Sequence, residues 1–499
     1  MNFFKRNKNF KPVFFVSALL VVLFVMFGVL FPERIEQFAE RAFDLTAAYA
    51  GGYYLLIVVG FIGFCLYFAF SRWGTIRLGQ EGDRPAYSFF NWVGMLFSAG
   101  FGVSLIFWGV SEPVKHYLNP PLGYEARTQE AVEAAIKFSM FHWGIHQWAI
   151  FAVIGLTVGY AKFRKQQSGT ISSVLEPLAQ RLKIKRGWRS AVDTLTVLAT
   201  ATGVATSLGL GVMQVNGGLN YTLGVPDNAG TQLIIIGLLL AAYLVSSVTG
   251  LNKGIRILSF INLSVAFLLL GFTFVFGPSL YLFNTWLSGI GSYVSEIIPL
   301  SLNMRPLQPD LAWLKEWTLF YWAWAIAWSP FVGTFIARVS KGRTIREFIA
   351  GALLVPPLVA IAWMAIMGGS ALYFETVESI PIAEVVQEDI THALFATLEQ
   401  FPLGMILSMI ALVLIFIFLV TSADSATFVL AMMTTKDQMN PPRMGKIVWG
   451  ILQAAVAIVL LLASGLQGLQ TASLLMALPF SILMILMCVS FVLQIKKEK

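Results

Sequence analysis

Stretches of about twenty predominantly apolar residues follow one another along the whole of this 499-residue chain, and that succession limits the fold more than any other feature. A hydrocarbon core about 30 Å thick is crossed by roughly 20 residues of α-helix. Within lipid every backbone amide and carbonyl must find its partner inside the protein, which leaves helices for segments of this length. With 57% hydrophobic and 12% charged residues, no water-soluble globule could cover so much apolar surface. The pattern predicts an all-α polytopic membrane protein, with spans near 13–31, 52–72, 88–110, 134–160, 191–222, 231–250, 256–284, 316–337, 347–374, 402–434, 446–465 and 470–494.

The formal charge of +8 is explained by membrane insertion rather than by nucleic acid. With the amino terminus inside, all but seven of the 34 Lys and Arg fall in cytoplasmic segments. The seven are Arg34, Arg41, Lys115, Arg127, Lys137, Arg305 and Lys315. This asymmetry follows the positive-inside rule and predicts both termini in the cytoplasm of a cell whose inner membrane houses the chain. The stretch Val13 to Leu30 follows Lys5, Arg6, Lys8 and Lys11 but lacks a small-residue cleavage site, so it is expected to be retained as the first span. Cys65 and Cys488 both lie in apolar segments, which suggests buried thiols rather than disulfide or metal chemistry.

No linker or low-complexity block divides the chain, so the membrane region reads as one domain. Three loops are long. The segment Lys162 to Arg189 contains "LEPLAQRLKIKRGWR", which could lie at the membrane surface as a basic amphipathic helix. An external segment over about 285–315 mixes apolar, proline and charged residues too densely for a span. The third, Phe374 to Phe401, carries six acidic side chains and no Lys or Arg.

The chemistry is carried by spans that violate the rules for lipid-facing helices. The third, "GMLFSAGFGVSLIFWGVSEP", has Gly94, Gly100, Gly102 and Gly109 before Pro113. Small residues of this kind pack helices closely, or they unwind a helix locally and free its carbonyls, which suit a hard cation such as sodium. The fourth, "FSMFHWGIHQWAIF", puts Trp148 and Phe151 on one face at about 100° per residue, with Trp143 some 140° from Trp148. His142 and His146, four apart, could face a metal but lack a third ligand and read better as packing residues. The eighth carries tryptophans at 313, 317, 322, 324 and 328, too many for one interfacial belt. Trp324 and Trp328 share a face, and indole faces hold a cation that has no hydrogen to donate. In the tenth, "TSADSAT" places Thr421, Ser422, Asp424 and Ser425 in apolar context. A mid-membrane acid is a functional candidate by default, whereas hydroxyls alone can bond back to the preceding turn.

These motifs strongly resemble the betaine/carnitine/choline transporter family, and the match runs along the whole chain. "WTLFYWAWAIAWSPFVGTFIARVSKGRTIREF" is the most specific segment, followed by "GFGVSLIFWGVSEP", "GVATSLGLG" and "TSADSAT". The resemblance implies twelve transmembrane helices with two inverted five-helix repeats, the amino-acid/sodium-symporter-like fold, working by alternating access and commonly as a homotrimer. It would divide the chain into a tail (1–12), two leading spans (13–87), a first repeat (88–285), an external amphipathic segment (286–315), a second repeat (316–494) and a short tail (495–499). It also implies an aromatic substrate box of Trp143, Trp148, Phe151, Trp324, Ala325 and Trp328, with Gly102 and Ser104 on its other wall. Sodium, the expected coupling ion, would use Thr421 and Ser422 with carbonyls near Ser98, Phe101 and Phe418. A second sodium would involve Thr200 and Phe331.

Departures from the family pattern refine the expectation. Betaine carriers have tryptophan at Ala325, tyrosine at Phe151, glycine at Ser104 and, in two-sodium members, threonine at Val204. The box is therefore expected to suit a bulkier or differently substituted zwitterion, and the second sodium site is weakened. The tail "QIKKEK" lacks the basic helix of osmosensing members. The reading is a sodium-coupled symporter for a small zwitterionic or quaternary-ammonium-type solute, a betaine-like compatible solute. A sodium-independent exchanger of the same family would place an arginine in the fifth span and a methionine in the eighth, and neither is present. A membrane enzyme would need a catalytic cluster, which four scattered histidines do not suggest, and a channel would need a repeated pore-loop signature.

Overall fold

The computed structural model describes residues 9–498 except 101, 185–186, 250–251, 305–310 and 437–440. Among the described residues the chain is helical, with no strand beyond two isolated bridges. In order the helices are α1 (Pro12–Leu30), α2 (Pro32–Phe70), α3 (Phe89–Gly100), α4 (Val103–Leu118), α5 (Gln129–Trp143), α6 (Ile145–Gly159), α7 (Ile171–Arg181), α8 (Trp188–Leu223), α9 (Ala229–Thr249) and α10 (Asn252–Phe276). They continue as α11 (Ser279–Ser295), the short α12 (Ile297–Ser301) and α13 (Leu311–Leu314), α14 (Phe320–Val339), α15 (Ile345–Trp363), α16 (Gly369–Thr376), α17 (Ile382–Glu388), α18 (Ala393–Glu399), α19 (Gly404–Thr434) and α20 (Arg443–Ile495).

Ten helical stretches among the described residues are long and apolar enough to cross a membrane. Two local events separate this number from the twelve expected spans. The third expected span is split into α3 and α4 of 12 and 16 residues, each too short alone. The last two run together in α20, 53 residues long, in which Gly465 takes φ 54° and ψ −131°. Only glycine enters that region without strain. The chain doubles back there, because both ends of α20 meet the same end of the bundle. Trp449 Nε1 donates to Thr434 Oγ1 (2.9 Å), while Ser490 Oγ donates to the Val174 carbonyl (2.6 Å). Residues beside those two partners, Ile171 and Met433, line one pocket.

The described ends of the chain, near Lys11 and Glu498, sit at that end as well. The Lys11 amide donates to the Thr434 carbonyl (3.0 Å), and Glu498 accepts from Arg164 Nη2 (2.8 Å) and Tyr160 OH (3.0 Å). Hydrogen bonds from Arg164 in particular, with Lys165 and Tyr160, hold the Glu498 carboxyl down at about 2.

The core is formed by helices buried on every side, α6 and α14 packed on each other and α8 against α14, α19 and α20. At Gly203 of α8 a Cβ would stand 2.9 Å from the Trp328 amide nitrogen, so this crossing depends on the missing side chain. Peripheral helices instead turn apolar residues outward: Phe260 and Leu268 of α10 are 71% and 72% exposed, as lipid-facing residues are.

Three expectations change in detail. The seventh span ends at Phe276, because Gly277 and Pro278 interrupt it, and a separate α11 begins at Ser279 where the span was expected to run to 284. The basic segment after the fourth span does form a helix, α7, capped by Thr170. Its apolar side, including Val174 and Leu175, is buried against α20 rather than left for the membrane surface. The fourth span is also not one helix: it breaks at Gly144 (φ −82°, ψ −148°), so face angles computed across the break do not apply.

Candidate functional site

The break in the third span comes from glycine spacing. The described backbone of α3 stops at Gly100, and α4 restarts at Val103 behind an extended Gly102 (φ −140°, ψ −153°). Among the described residues no side chain caps the first amides of α4. The free amides of a helix start carry partial positive charge and attract anions, whereas carbonyls left at a helix end attract cations. A cavity with ≈ 360 Å³ of atom-free space opens against this break. Gly102 and Ser104 form one wall, Val204 and Ser207 of α8 another, Trp328 and Phe331 of α14 a third, and Leu419 and Ser422 of α19 the fourth. A Cβ on Gly102 would lie 3.6 Å from Ser422 Oγ, so this hydroxyl stands directly at the break.

The expected aromatic residues gather on the α14 side. Phe320, Trp324 and Trp328, four apart, make a continuous stack: centroids are 5.9 and 5.6 Å apart, each pair 6° from parallel. Trp143 meets Trp324 edge-on at 6.4 Å, Phe151 meets Trp328 edge-on at 5.9 Å, and Trp148 meets Phe151 edge-on at 5.6 Å. Trp324 Nε1 donates to the Gly203 carbonyl at 3.4 Å. Of the six box residues only Trp328 borders the cavity, while Trp143, Trp148, Phe151, Trp324 and Ala325 are buried and do not line it.

The expected sodium ligands are distributed unevenly. Ser422 faces the cavity, whereas the Thr421 hydroxyl bonds back to the carbonyls of Ile417 (3.0 Å) and Phe418 (3.1 Å). Ser98 lies in the last turn of α3 with its side chain outside the described part, and Phe101 lies outside the described residues. For the second ion, Phe331 and Val204 line the cavity, but Thr200 is buried with its hydroxyl donating to the Thr196 carbonyl (2.8 Å). Asp424 is not part of this wall. It faces Ser246 and Ser247 of α9 and lies near Lys446, whose Nζ donates to the Ser247 carbonyl (2.9 Å). Two helix positions separate Ser422 from Asp424, about 200° of rotation, so the acid faces away from the cavity.

Glu112 lies just past the third span expected over 88–110 and is not among the expected site residues, yet α4 carries on through it to Leu118. Glu112 is fully buried. Its Oε2 accepts from Trp143 Nε1 (2.8 Å) and Tyr321 OH (2.6 Å), joining α4 to α5 and α14. Its Oε1 faces His142 Nδ1 (2.7 Å) and His116 Nε2 (3.3 Å). Four partners use all the lone-pair sites of a carboxylate, as a buried one requires. The signal for it is an acid on a helix that continues past the apolar stretch, since an acid buried in a membrane helix is a functional candidate. His146 belongs to a different set, on Ser301 Oγ (2.7 Å) and Tyr293 OH (3.2 Å).

A second pocket, with ≈ 470 Å³ of atom-free space open to solvent, lies at the end of the bundle that carries Lys11 and Glu498, lined by Lys162, Thr170, Asp193, Thr196, Thr334 and Met433 among others. Thr196 and Thr334 stand one turn from Thr200 and Phe331, so it is aligned with the first cavity along α8 and α14. Tyr321, whose ring lies 6.4 Å from that of Trp324, links the aromatic stack to the Glu112 network.

The family model described as "BCCT, betaine/carnitine/choline family transporter" matches residues 12–499. The chain is 47% identical to an ectoine/hydroxyectoine transporter of Virgibacillus pantothenticus, over 97% of this chain and 96% of that one. It is 42% identical to the glycine betaine transporter OpuD of Bacillus subtilis (strain 168), over 99% and 96%. A probable glycine betaine transporter of Desulfitobacterium hafniense (strain Y51) is 40% identical over 99% of both chains.

Proposed function

This chain belongs to the betaine/carnitine/choline transporter family, and from that premise we propose that it is a sodium-coupled symporter for an ectoine-type cyclic zwitterion. That it is a multi-pass membrane transporter of compatible solutes, and no enzyme, follows from the family and its named members. The choice of solute rests on the two-sided character of the cavity. Trp328 and Phe331 bring aromatic rings to the cavity, where a delocalised cation could meet them, and the hydroxyl-bearing Ser104 and Ser422 line it as well. A trimethylammonium group has no hydrogen to donate and gains nothing from hydroxyls, whereas the ring N–H groups of a cyclic amidinium do. Its carboxylate would meet the uncapped start of α4. The ectoine/hydroxyectoine transporter of Virgibacillus pantothenticus supports the same choice.

Sodium coupling is supported by the donor set. The Ser422 hydroxyl beside a broken helix offers one hard oxygen ligand of the kind such an ion needs, and sodium would travel as cargo with the solute. One ion is proposed, because Val204 and the committed Thr200 hydroxyl leave a second poorly served. The split third span and the reversal in α20 support a count of twelve crossings in two inverted repeats, with both termini cytoplasmic by the charge asymmetry. A homotrimer in the bacterial cell membrane follows the family pattern. Transport would proceed by alternating access, with the pocket at Lys162 as the cytoplasmic vestibule and the Glu112 network closing the external side.

Proteoliposome uptake tests this reading. Labelled ectoine is expected to accumulate only with an inward sodium gradient, and excess unlabelled ectoine to compete better than glycine betaine. Stronger competition by glycine betaine would overturn the solute assignment. Uptake undiminished when potassium replaces all sodium would make the chain an exchanger.

A further inference from the structure

We propose that Glu112, His116 and His142 form a binding site for a divalent transition-metal ion of the Zn²⁺ class. The three residues come from two helices, and one ligand atom from each lies within 4.8 Å of the others. Around a zinc ion with bonds of about 2.0–2.1 Å, tetrahedral ligand atoms stand about 3.3 Å apart. Glu112 Oε1 is already 3.3 Å from His116 Nε2 and 2.7 Å from His142 Nδ1, so side-chain rotations suffice to open the triangle.

The surroundings have the form of an outer shell. A ligating histidine is usually oriented by a bond from its other ring nitrogen, and a ligating carboxylate by bonds to its second oxygen. His142 Nε2 is 2.9 Å from Thr318 Oγ1, and Glu112 Oε2 is held by Trp143 and Tyr321. His116 Nδ1 is buried with no partner among the described residues. Trp317, at 4.5 Å between centroids, and Trp313, at 5.0 Å, give that ring an apolar wall.

Two imidazoles with one carboxylate select borderline ions such as Zn²⁺ over Ca²⁺ or Mg²⁺, which require mostly oxygen. The site is distinct from the cavity at Gly102 and does not depend on which solute is carried or whether sodium drives it.

The test uses purified full-length protein and Zn²⁺ alone. Equilibrium dialysis against buffered micromolar Zn²⁺, read by elemental mass spectrometry, is expected to give one ion per chain. His116→Gln is expected to weaken binding at least tenfold, and His392→Gln to leave it unchanged. No bound zinc in the wild type, or equal binding by His116→Gln, overturns the proposal. Should His116→Gln misfold, zinc-edge X-ray absorption of the loaded wild type decides: nitrogen and oxygen scatterers with imidazole signatures support the site, and sulfur scatterers, which would implicate Cys65 or Cys488, refute it.

Discussion

Two spans of this transporter are interrupted at a glycine, and the protein puts the interruptions to opposite uses. Gly102 itself is extended before α4, no side chain among the described residues caps α4, and a cavity lined by Ser104 and Ser422 opens beside it. At Gly144, between α5 and α6, the Tyr293 hydroxyl fills the notch and accepts from the Ile145 amide at 3.2 Å. A break exposes backbone groups in either case. What decides its use is whether a neighbour satisfies them, because unpaired polar groups in apolar surroundings cost several kcal/mol unless a ligand or water takes the place of a partner.

The largest expected effect comes from adding a methyl group at each break. A Cβ on Gly144 would stand 2.6 Å from both the Met140 carbonyl and the Tyr293 hydroxyl, whereas on Gly102 it meets Ser422 Oγ at an ordinary 3.6 Å. Gly144→Ala is therefore expected to lose roughly 1–3 kcal/mol of stability, visible as a lower unfolding temperature in detergent. Tyr293→Phe in that background should restore part of it. Gly102→Ala should unfold with the wild type yet transport poorly, and equal destabilisation by both would dissolve the contrast.

Trp328→Ala removes the ring that faces the cavity. Solute affinity is expected to fall by about 5- to 30-fold, on the order of 1–2 kcal/mol, in a binding titration on purified protein. Ala325→Trp is expected to disturb packing before specificity, because Ala325 is completely buried away from the cavity.

Ser422→Ala should raise the sodium concentration for half-maximal uptake by about 3- to 10-fold, corresponding to roughly 1 kcal/mol for one lost oxygen ligand. Thr421→Ala should shift it less, since that hydroxyl is already bonded to the carbonyls of Ile417 and Phe418. A larger effect at Thr421 would mean that its hydroxyl turns toward the ion during transport.

The smallest effect belongs to the closed break alone. Tyr293→Phe leaves the Ile145 amide without its acceptor and should cost about 0.5–1.5 kcal/mol of stability, with solute and sodium affinities unchanged. A changed solute affinity in Tyr293→Phe would show that the two breaks are coupled.

By itself the sequence determined the helical membrane class, because apolar stretches of span length have no other stable form in lipid, and it determined the family, because the motifs of the third, eighth and tenth spans are long and specific. It also marked the break at Gly102 and the shared face of Trp324 and Trp328, which depend only on helical periodicity and local glycine content. The break at Gly144 was beyond it: one glycine in an apolar run has no local signature, and Tyr293, which completes the joint, lies 149 residues further along. The same holds for Glu112, whose partners Trp143, His142 and Tyr321 come from two other helices. Which way Asp424 points, and that Ala325 is sealed while Ser104 and Ser422 face the cavity, were likewise settled by packing. Helical periodicity ranks faces relative to one another, but only the neighbouring helices decide which face meets a cavity, a carboxylate or lipid.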